Sequence, residues 1–307
     1  MGYVRSPTGG WQDAPMDTSG SRPVTPALLA AGGALLFVGA LFLPFQVRSG
    51  TDQTILDLDQ GFRVWGSLAL GPLGVLIAAV AGGWLLVGRW SARRAAGLIM
   101  AAGLWGALRG AAILGVSWFP GGAAGDAVDP GIGSYLTLAG GVLILLAGVA
   151  AFARAPAEDG ARSRAVCVLA LVSAIGYALS NLVSAARLAP PEFEPTEIAV
   201  VNLSSPDMTL LWEGLLPGVI TIVLLLSAMR ILTGTAGGTG ALLMGLGLIT
   251  ALQFAGIMAW ASSGAVRFLS PTLGGWLGIA TGVVLFVTGL LSPTEPASRS
   301  AVVPEMS

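Results

Sequence analysis

Eight apolar segments recur along this chain, and their length constrains the fold more than any other feature. Each has about 20 residues, the length an α-helix needs to cross about 30 Å of hydrocarbon. Open strands at that depth would leave backbone groups without hydrogen-bond partners, so these segments predict helices. They cover residues 27–47, 64–87, 95–118, 132–152, 165–186, 208–232, 240–262 and 272–291. We therefore predict an all-α, polytopic integral membrane bundle of about eight transmembrane helices.

The composition agrees with a membrane location. Hydrophobic residues make up 54% of the chain and charged residues only 10%, whereas a soluble domain carries about 25% charged residues. The net charge of −1 argues against nucleic acid as a partner, since such proteins present a basic face. All 15 basic residues are Arg and glycine is abundant, which is typical of a GC-rich bacterial genome. The lipid bilayer of a bacterial cytoplasmic membrane is the predicted environment.

The arginines predict the orientation of the chain, because cytoplasmic loops of membrane proteins are enriched in basic residues. With the N-terminus inside, ten arginines fall on the inner side: Arg5, Arg22, Arg89, Arg93, Arg94, Arg154, Arg162, Arg164, Arg230 and Arg299. Four fall outside: Arg48, Arg63, Arg187 and Arg267. Acidic residues show the opposite bias. We expect both termini to be cytoplasmic.

Two pairs of helices resemble each other in sequence. The third and seventh align without gaps at an offset of 144 residues, where Leu98, Met100, Gly103, Leu104, Ala107, Leu108, Ala111 and Ile113 match identical residues. The fourth and eighth align at an offset of 141, from Gly133 with Gly274 to Gly148 with Gly289. Because the helix number per unit is even, both units would cross the membrane in the same direction. This pattern predicts two tandem four-helix units in parallel orientation.

The predicted division of the chain follows from these segments. We expect a disordered cytoplasmic tail (1–26), a first transmembrane unit (27–153), a cytoplasmic linker (154–164), a second transmembrane unit (165–291) and a cytoplasmic tail (292–307). Small residues recur at the close-packing spacings Gly106-xxx-Gly110 and Gly278-xxx-Gly282. Such spacing lets helix backbones approach in lipid, either within the bundle or in a homo-oligomer.

Arg109 is the sharpest polar feature of the apolar segments. It lies fifteen residues beyond Arg94, about 22 Å into the membrane at 1.5 Å per residue. A charge at that depth costs at least about 2.5 kcal/mol unless it is paired or hydrated. Its candidate ion-pair partners are four outer carboxylates: Glu213, Asp207, Asp57 and Asp59. Arg109 would be either an interhelical clamp or part of an anion or headgroup site.

Two uncharged polar residues complete the predicted intramembrane site. Gln253 occupies the position equivalent to Arg109 in the second unit, so the two residues would line one pseudo-symmetric cavity. Asn181 also falls within an apolar segment, where a hydrogen bond to a neighbouring helix is the simplest role.

Asp57-Leu58-Asp59 forms a DxD sequence in the first outer loop. It resembles the DxD of polyprenyl-phosphate-sugar glycosyltransferases, membrane enzymes in which such a pair binds metal and phosphate. The resemblance covers three residues and implies a metal-dependent glycosyltransferase using Asp57 and Asp59. The alternative is a solvated loop, and we assign these residues no metal.

The sequence disfavours most enzymatic chemistry. It contains no histidine, which removes His-ligated metals, His-ligated haem and Ser-His or Cys-His nucleophiles. Its single cysteine, Cys167, forms neither an internal disulfide nor a CxxC site. No P-loop, HExxH or GxSxG motif is present. We expect no cofactor and a non-enzymatic accessory or structural subunit of an envelope or transport assembly, with a membrane-protein partner or a homo-oligomer. The alternative is a small transporter or lipid-handling protein with a cavity near Arg109 and Gln253.

Overall fold

The computed structural model shows an all-α membrane bundle with short strands at the helix ends. It describes residues 3–5, 11–13, 24–40, 42–48, 51–54, 70–87, 92–118, 128–155, 163–192, 194–201, 207–233, 238–262 and 268–292. Eight helices lie within these ranges: α1 (Val24–Ala40), α2 (Leu70–Val87), α3 (Ala92–Trp118), α4 (Ile132–Arg154), α5 (Arg164–Leu182), α6 (Asp207–Thr233), α7 (Thr239–Ser262) and α8 (Leu273–Leu291).

Six of the described helices, α3 to α8, are long and apolar enough to cross a membrane. The shorter apolar helices are Thr25–Ala40 in α1 and Pro72–Leu86 in α2. Helices α3 and α7 form the centre of the bundle. Of the residues in their most apolar stretches, 61% and 67% are buried, against 39–44% for the other four long helices. The remaining helices surround this pair and turn one side of their surface outward.

Two predicted helices end earlier than their apolar sequence indicates. The segment predicted as helical to residue 47 ends at Ala40, and a strand begins at Pro44. Proline disfavours helical geometry in the residue before it, so the chain becomes extended there. The segment predicted to continue to residue 186 ends at Leu182. Beyond it, the Ser184 carbonyl accepts hydrogen bonds from Gly274 N and the Thr272 hydroxyl, which join this turn to the start of α8.

Eight short strands were not foreseen in the sequence. Strands β1 (Tyr3–Arg5) and β2 (Trp11–Asp13) pair with each other near the N-terminus. The others form two three-stranded antiparallel sheets: β3 (Pro44–Arg48) between β4 (Thr51–Thr54) and β5 (Val128–Pro130), and β6 (Ala186–Leu188) between β7 (Thr196–Ile198) and β8 (Leu269–Pro271). In each sheet, the strand following one helix pairs with the strand preceding another.

The central helices lie side by side and run in the same direction. A Cβ added to Gly97 would meet Ala241 and Leu242, and one added to Gly245 would meet Ala101. The pairs 97–241 and 101–245 both differ by 144 positions, so the two helices run parallel and in constant register. Because α3 leads towards β5 and α7 towards β8, both three-stranded sheets lie at the same end of the bundle, which we call the sheet end.

Glycines bring each central helix into backbone contact with its antiparallel neighbour. A Cβ at Gly103 or Gly141 would lie closer than 3.0 Å to the backbone across the α3–α4 interface, and one at Gly247 or Gly282 would do the same between α7 and α8. A side chain at any of these positions would force the helices apart. The glycines at 106, 110 and 278 also face side chains or backbone within this chain. The small-residue spacing thus serves packing inside the bundle.

Charge differs between the two ends of the described bundle. The end opposite the sheets, the basic end, carries Arg93, Arg94, Arg154, Arg164 and Arg230. Within the described ranges no acidic residue lies on the helix ends there. The sheet end carries most of the described acidic residues: Asp52, Asp129, Glu192, Glu194, Glu197 and Asp207. The apolar helices therefore separate a basic layer from a predominantly acidic one.

Candidate functional site

Arg109 and Gln253 lie at the same level of the central helix pair. They differ by the same 144 positions that relate the contacting residues of α3 and α7. Arg109 is half-buried, while Gln253 is 2% exposed. The Oε1 atom of Gln253 is buried and has no hydrogen-bond partner among the residues that the structure describes. Such an orphaned acceptor costs about 1–3 kcal/mol unless water or a ligand satisfies it.

The four carboxylates predicted as partners of Arg109 fall into two groups. Asp57 and Asp59 lie outside the described residues, as does their DxD sequence. Asp207 and Glu213 belong to the first turns of α6, which starts at the sheet end and packs against α3. Glu213 is about 9 Å along α6 from its start, and Arg109 about 14 Å from the sheet-end terminus of α3. The two positions differ by about 5 Å in their distance from the sheet-end termini of their helices, and their pairing stays a prediction.

Asn181 lies in the last turn of α5 and is 1% exposed. Its Nδ2 donates a 2.7 Å hydrogen bond to the carbonyl oxygen of Tyr177, on the same helix. Its backbone carbonyl accepts from Val201 N at 2.9 Å, which fixes the chain entering α6 against α5. The Oδ1 atom of Asn181 is buried, and no described residue forms a hydrogen bond with it.

A buried polar stripe on α5 extends from Asn181 to residues that were not singled out from the sequence. Ser173, Tyr177 and Asn181 are spaced four residues apart, so they follow one face of the helix. Ser173 is 2% exposed and Tyr177 is fully buried. In the part of the chain that the structure describes, the Ser173 hydroxyl has no hydrogen-bond partner, and the Tyr177 hydroxyl lies near Asn181 without meeting hydrogen-bond geometry. The four-residue spacing of polar residues in an apolar segment was the signal that could have revealed this stripe.

Trp105 adds a further unsatisfied donor in the bundle core. It is fully buried in the central helix α3, one turn before Arg109. Its indole Nε1 has no hydrogen-bond partner within the described ranges, although buried Trp N–H groups usually have one. The interior thus offers donors and acceptors for water or a polar ligand. In the described part of the chain, no three His, Cys, Asp or Glu side chains are grouped to bind a metal.

Cys167 is buried and unpaired near the start of α5, as a small core residue. No family model, curated protein or solved structure matches this chain. The chain is an integral membrane protein by its helices, and its role rests on the arrangement of its own residues.

Proposed function

We propose that all eight helices cross a bacterial cytoplasmic membrane and that both termini are cytoplasmic. The support for α1 is its position antiparallel to the long helix α4: Gly33 lies against Gly140 and Ile144, and strand β3 after α1 pairs with β5 before α4. The support for orientation is the basic end, since arginines concentrate on the cytoplasmic side. The sheet end is then extracytoplasmic.

Reporter fusions test this topology. At residue 90, between α2 and α3, only a reporter that is active in the cytoplasm should give a signal. At residue 58, between β4 and α2, only a reporter that is active outside the cytoplasm should give a signal. The same side for both insertions would contradict a membrane-crossing α2.

Within this topology, we propose two tandem four-helix units, 27–153 and 165–291. Three correspondences support a duplication: the parallel register of α3 and α7, the matched glycine contacts of α3–α4 and α7–α8, and the matched order of the two sheets. A pseudo-twofold axis along the membrane normal would then pass between α3 and α7. Separate expression of the two units tests this division: the units should associate when co-expressed.

We propose that the protein is a non-enzymatic accessory or structural subunit of an envelope or transport assembly. The observation that carries this role is backbone contact between helices at Gly103, Gly141, Gly247 and Gly282. Helices that touch through backbone atoms leave little room for relative motion, because a packed interface deforms poorly. Such a bundle is suited to holding a partner in place, and the partner is a second membrane protein or another copy of this chain.

Purification from native membranes in mild detergent tests the accessory role. A tagged full chain, cross-linked before extraction, should bring down one membrane protein in stoichiometric amount. A Gly103→Leu variant serves as control, since it should disrupt the bundle and release that partner. Recovery of the chain alone and monomeric, with or without cross-linking, would contradict the proposal.

A second candidate is a lipid- or anion-handling protein with a site near Arg109 and Gln253. The unsatisfied Gln253 Oε1 and Trp105 Nε1 favour it, because both are buried polar atoms near Arg109. The two candidates differ in how Arg109→Leu should behave. If Arg109 is a clamp paired with Glu213, Arg109→Leu and Glu213→Leu should each cost about 3–5 kcal/mol, whereas the double variant with both leucines should preserve detergent stability. If Arg109 binds an anion, Arg109→Leu should abolish stabilisation by added inorganic phosphate, which has no acyl chain for a lipid groove, and Glu213→Leu should not.

A further inference from the structure

A continuous groove runs along the outside of the bundle between α2, α3 and α7. Its membrane-facing part has a volume of about 590 Å³ and is lined by apolar residues, including Leu76, Val80, Ala81 and Trp84. A second cavity of about 270 Å³ adjoins it at the basic end and contains Arg94. The two cavities share Leu85, Leu98 and Met244 among their lining residues, so they form one groove that is apolar along its length and cationic at one end.

The length of the apolar part matches one leaflet of a bilayer. From Leu76 to Leu85 on α2 is about 14 Å at 1.5 Å per residue, close to half of the about 30 Å of hydrocarbon. Leu85 lies near the basic end of α2, where Gly82 packs on Ala95 and Ile99 in the first turns of α3. The groove therefore extends from near the bilayer centre to the interface on the arginine-rich side.

The basic mouth of the groove has the chemistry of a phosphate site. Arg94 is half-buried there, whereas Arg93 beside it lies over the ring of Phe152, 5.1 Å from the centroid. The first turn of α7, with Gly240 and Ala241, also lines the mouth. The N–H groups of a first helical turn lack acceptors within the helix and carry positive partial charge. Arg94 and the first turn of α7 thus line one small cavity, together with the end of α8 at Gly289, Leu290 and Ser292.

We propose that this groove binds one anionic phospholipid of the leaflet at the basic end. An acyl chain lies along Val80, Ala81 and Trp84, and the headgroup phosphate is bound at Arg94. Charge complementarity favours this occupant over a neutral lipid, because basic pockets between transmembrane helices bind anionic headgroups. The site is separate from Arg109 and Gln253 and does not depend on the accessory role.

Native mass spectrometry of the full chain tests the site. The detergent-purified protein is incubated with equal amounts of phosphatidylglycerol and phosphatidylcholine of the same acyl chains. We expect one retained phosphatidylglycerol, and a decrease of about fivefold in its binding for Arg94→Gln, the effect of one basic residue on anionic-lipid binding. The matched control is Arg154→Gln, which removes the same charge from an exposed position of the basic end and should leave binding unchanged.

A second variant tests the acyl-chain part and covers the case in which Arg94→Gln fails to fold. Ala81→Phe fills the groove and should reduce retention of both lipids, whereas Leu226→Phe on the exposed side of α6 should not. Inorganic phosphate should not displace the lipid, because it has no acyl chain. Equal retention of both lipids, equal losses in Arg94→Gln and Arg154→Gln, or unchanged retention in Ala81→Phe would overturn the proposal.

Discussion

The two halves of the bundle, α1 to α4 and α5 to α8, share the close contact between their last two helices and differ in polarity. Gly103 and Gly247 occupy equivalent contacts with α4 and α8, and the central strands β3 and β6 pair in the same order. The outer helices differ: α1 buries Phe37 against Gly106, whereas α5 buries the stripe of Ser173, Tyr177 and Asn181. Equivalent positions in the two halves are therefore occupied by an apolar helix, α1, and by a helix with a buried polar face, α5.

This difference separates residues that specify the fold from residues available for function. The apolar version, α1 against α4, relies on contact between Gly33 and Gly140. In the polar version, Gly176 of α5 lies against Thr281 of α8. Since the first half packs without buried hydroxyls on α1, the stripe on α5 is not required by the architecture. Its unsatisfied atoms carry a free-energy cost, which suggests that water or a ligand compensates them in the second half.

The largest expected effect comes from the contacts that the halves share. Gly103→Ala and Gly247→Ala should each lower stability by about 1–3 kcal/mol or more, because the new Cβ would collide with the backbone of α4 or α8 and overpacking is destabilising. Thermal unfolding in detergent, followed by size-exclusion chromatography, measures this loss. Similar losses in both variants would support equivalence of the two halves.

Gly32→Ala is the matched control, because a Cβ at Gly32 meets no heavy atom within 4 Å. Alanine favours helix over glycine by about 1 kcal/mol, so this variant should be neutral or more stable. A tolerated Gly103→Ala beside a destabilising Gly247→Ala would show that only the second half is packed at backbone distance.

The sequence predicts which segments form helices better than it predicts where those helices end or which polar atoms are buried between them. Apolar length located all eight helices, because hydrocarbon thickness sets the number of residues. The repeat at offsets of 144 and 141 relates α3 to α7 and α4 to α8, and the duplication that it predicts stays a prediction. The strands at Pro44–Arg48 and Ala186–Leu188 were missed, because these residues are apolar enough to continue a helix and become strands only by pairing. Trp105 and Tyr177 were missed because a sequence does not show which polar atoms packing leaves without partners.

Two opposite substitutions, one in each half, test how much the polar stripe costs in free energy of unfolding. Tyr177→Phe should raise stability by about 1 kcal/mol, since it keeps the ring and removes a buried hydroxyl that no described residue satisfies with a hydrogen bond. Phe37→Tyr should lower stability by about 1–3 kcal/mol, because it buries a hydroxyl beside Gly106 in the apolar half. Both changes are measured by thermal unfolding of the purified protein.

The sign of the Tyr177→Phe effect distinguishes two roles of the stripe. A gain in stability would mean that the hydroxyl has no partner in the purified protein. A loss above about 1 kcal/mol would mean that the hydroxyl binds a water or ligand that purification retains. In that case, Tyr177→Phe should also reduce any stabilisation by added lipid or small anion.

The smallest expected effect concerns the two sheets at the sheet end. In the second sheet, Arg187 pairs with Glu197, with Nε and Oε1 3.4 Å apart and both side chains about half exposed. In the first sheet, the corresponding register places Val47 opposite Asp52. An exposed ion pair contributes about 0.2–1 kcal/mol and is screened by salt. A double-mutant cycle of Arg187→Gln and Glu197→Gln should therefore give a small coupling energy that decreases at high ionic strength. Asp52→Asn in the first sheet should change the free energy of unfolding by less than this coupling energy. A coupling energy well above 1 kcal/mol that salt does not reduce would mean that this ion pair is shielded from water. A partner protein bound at the sheet end would produce such shielding.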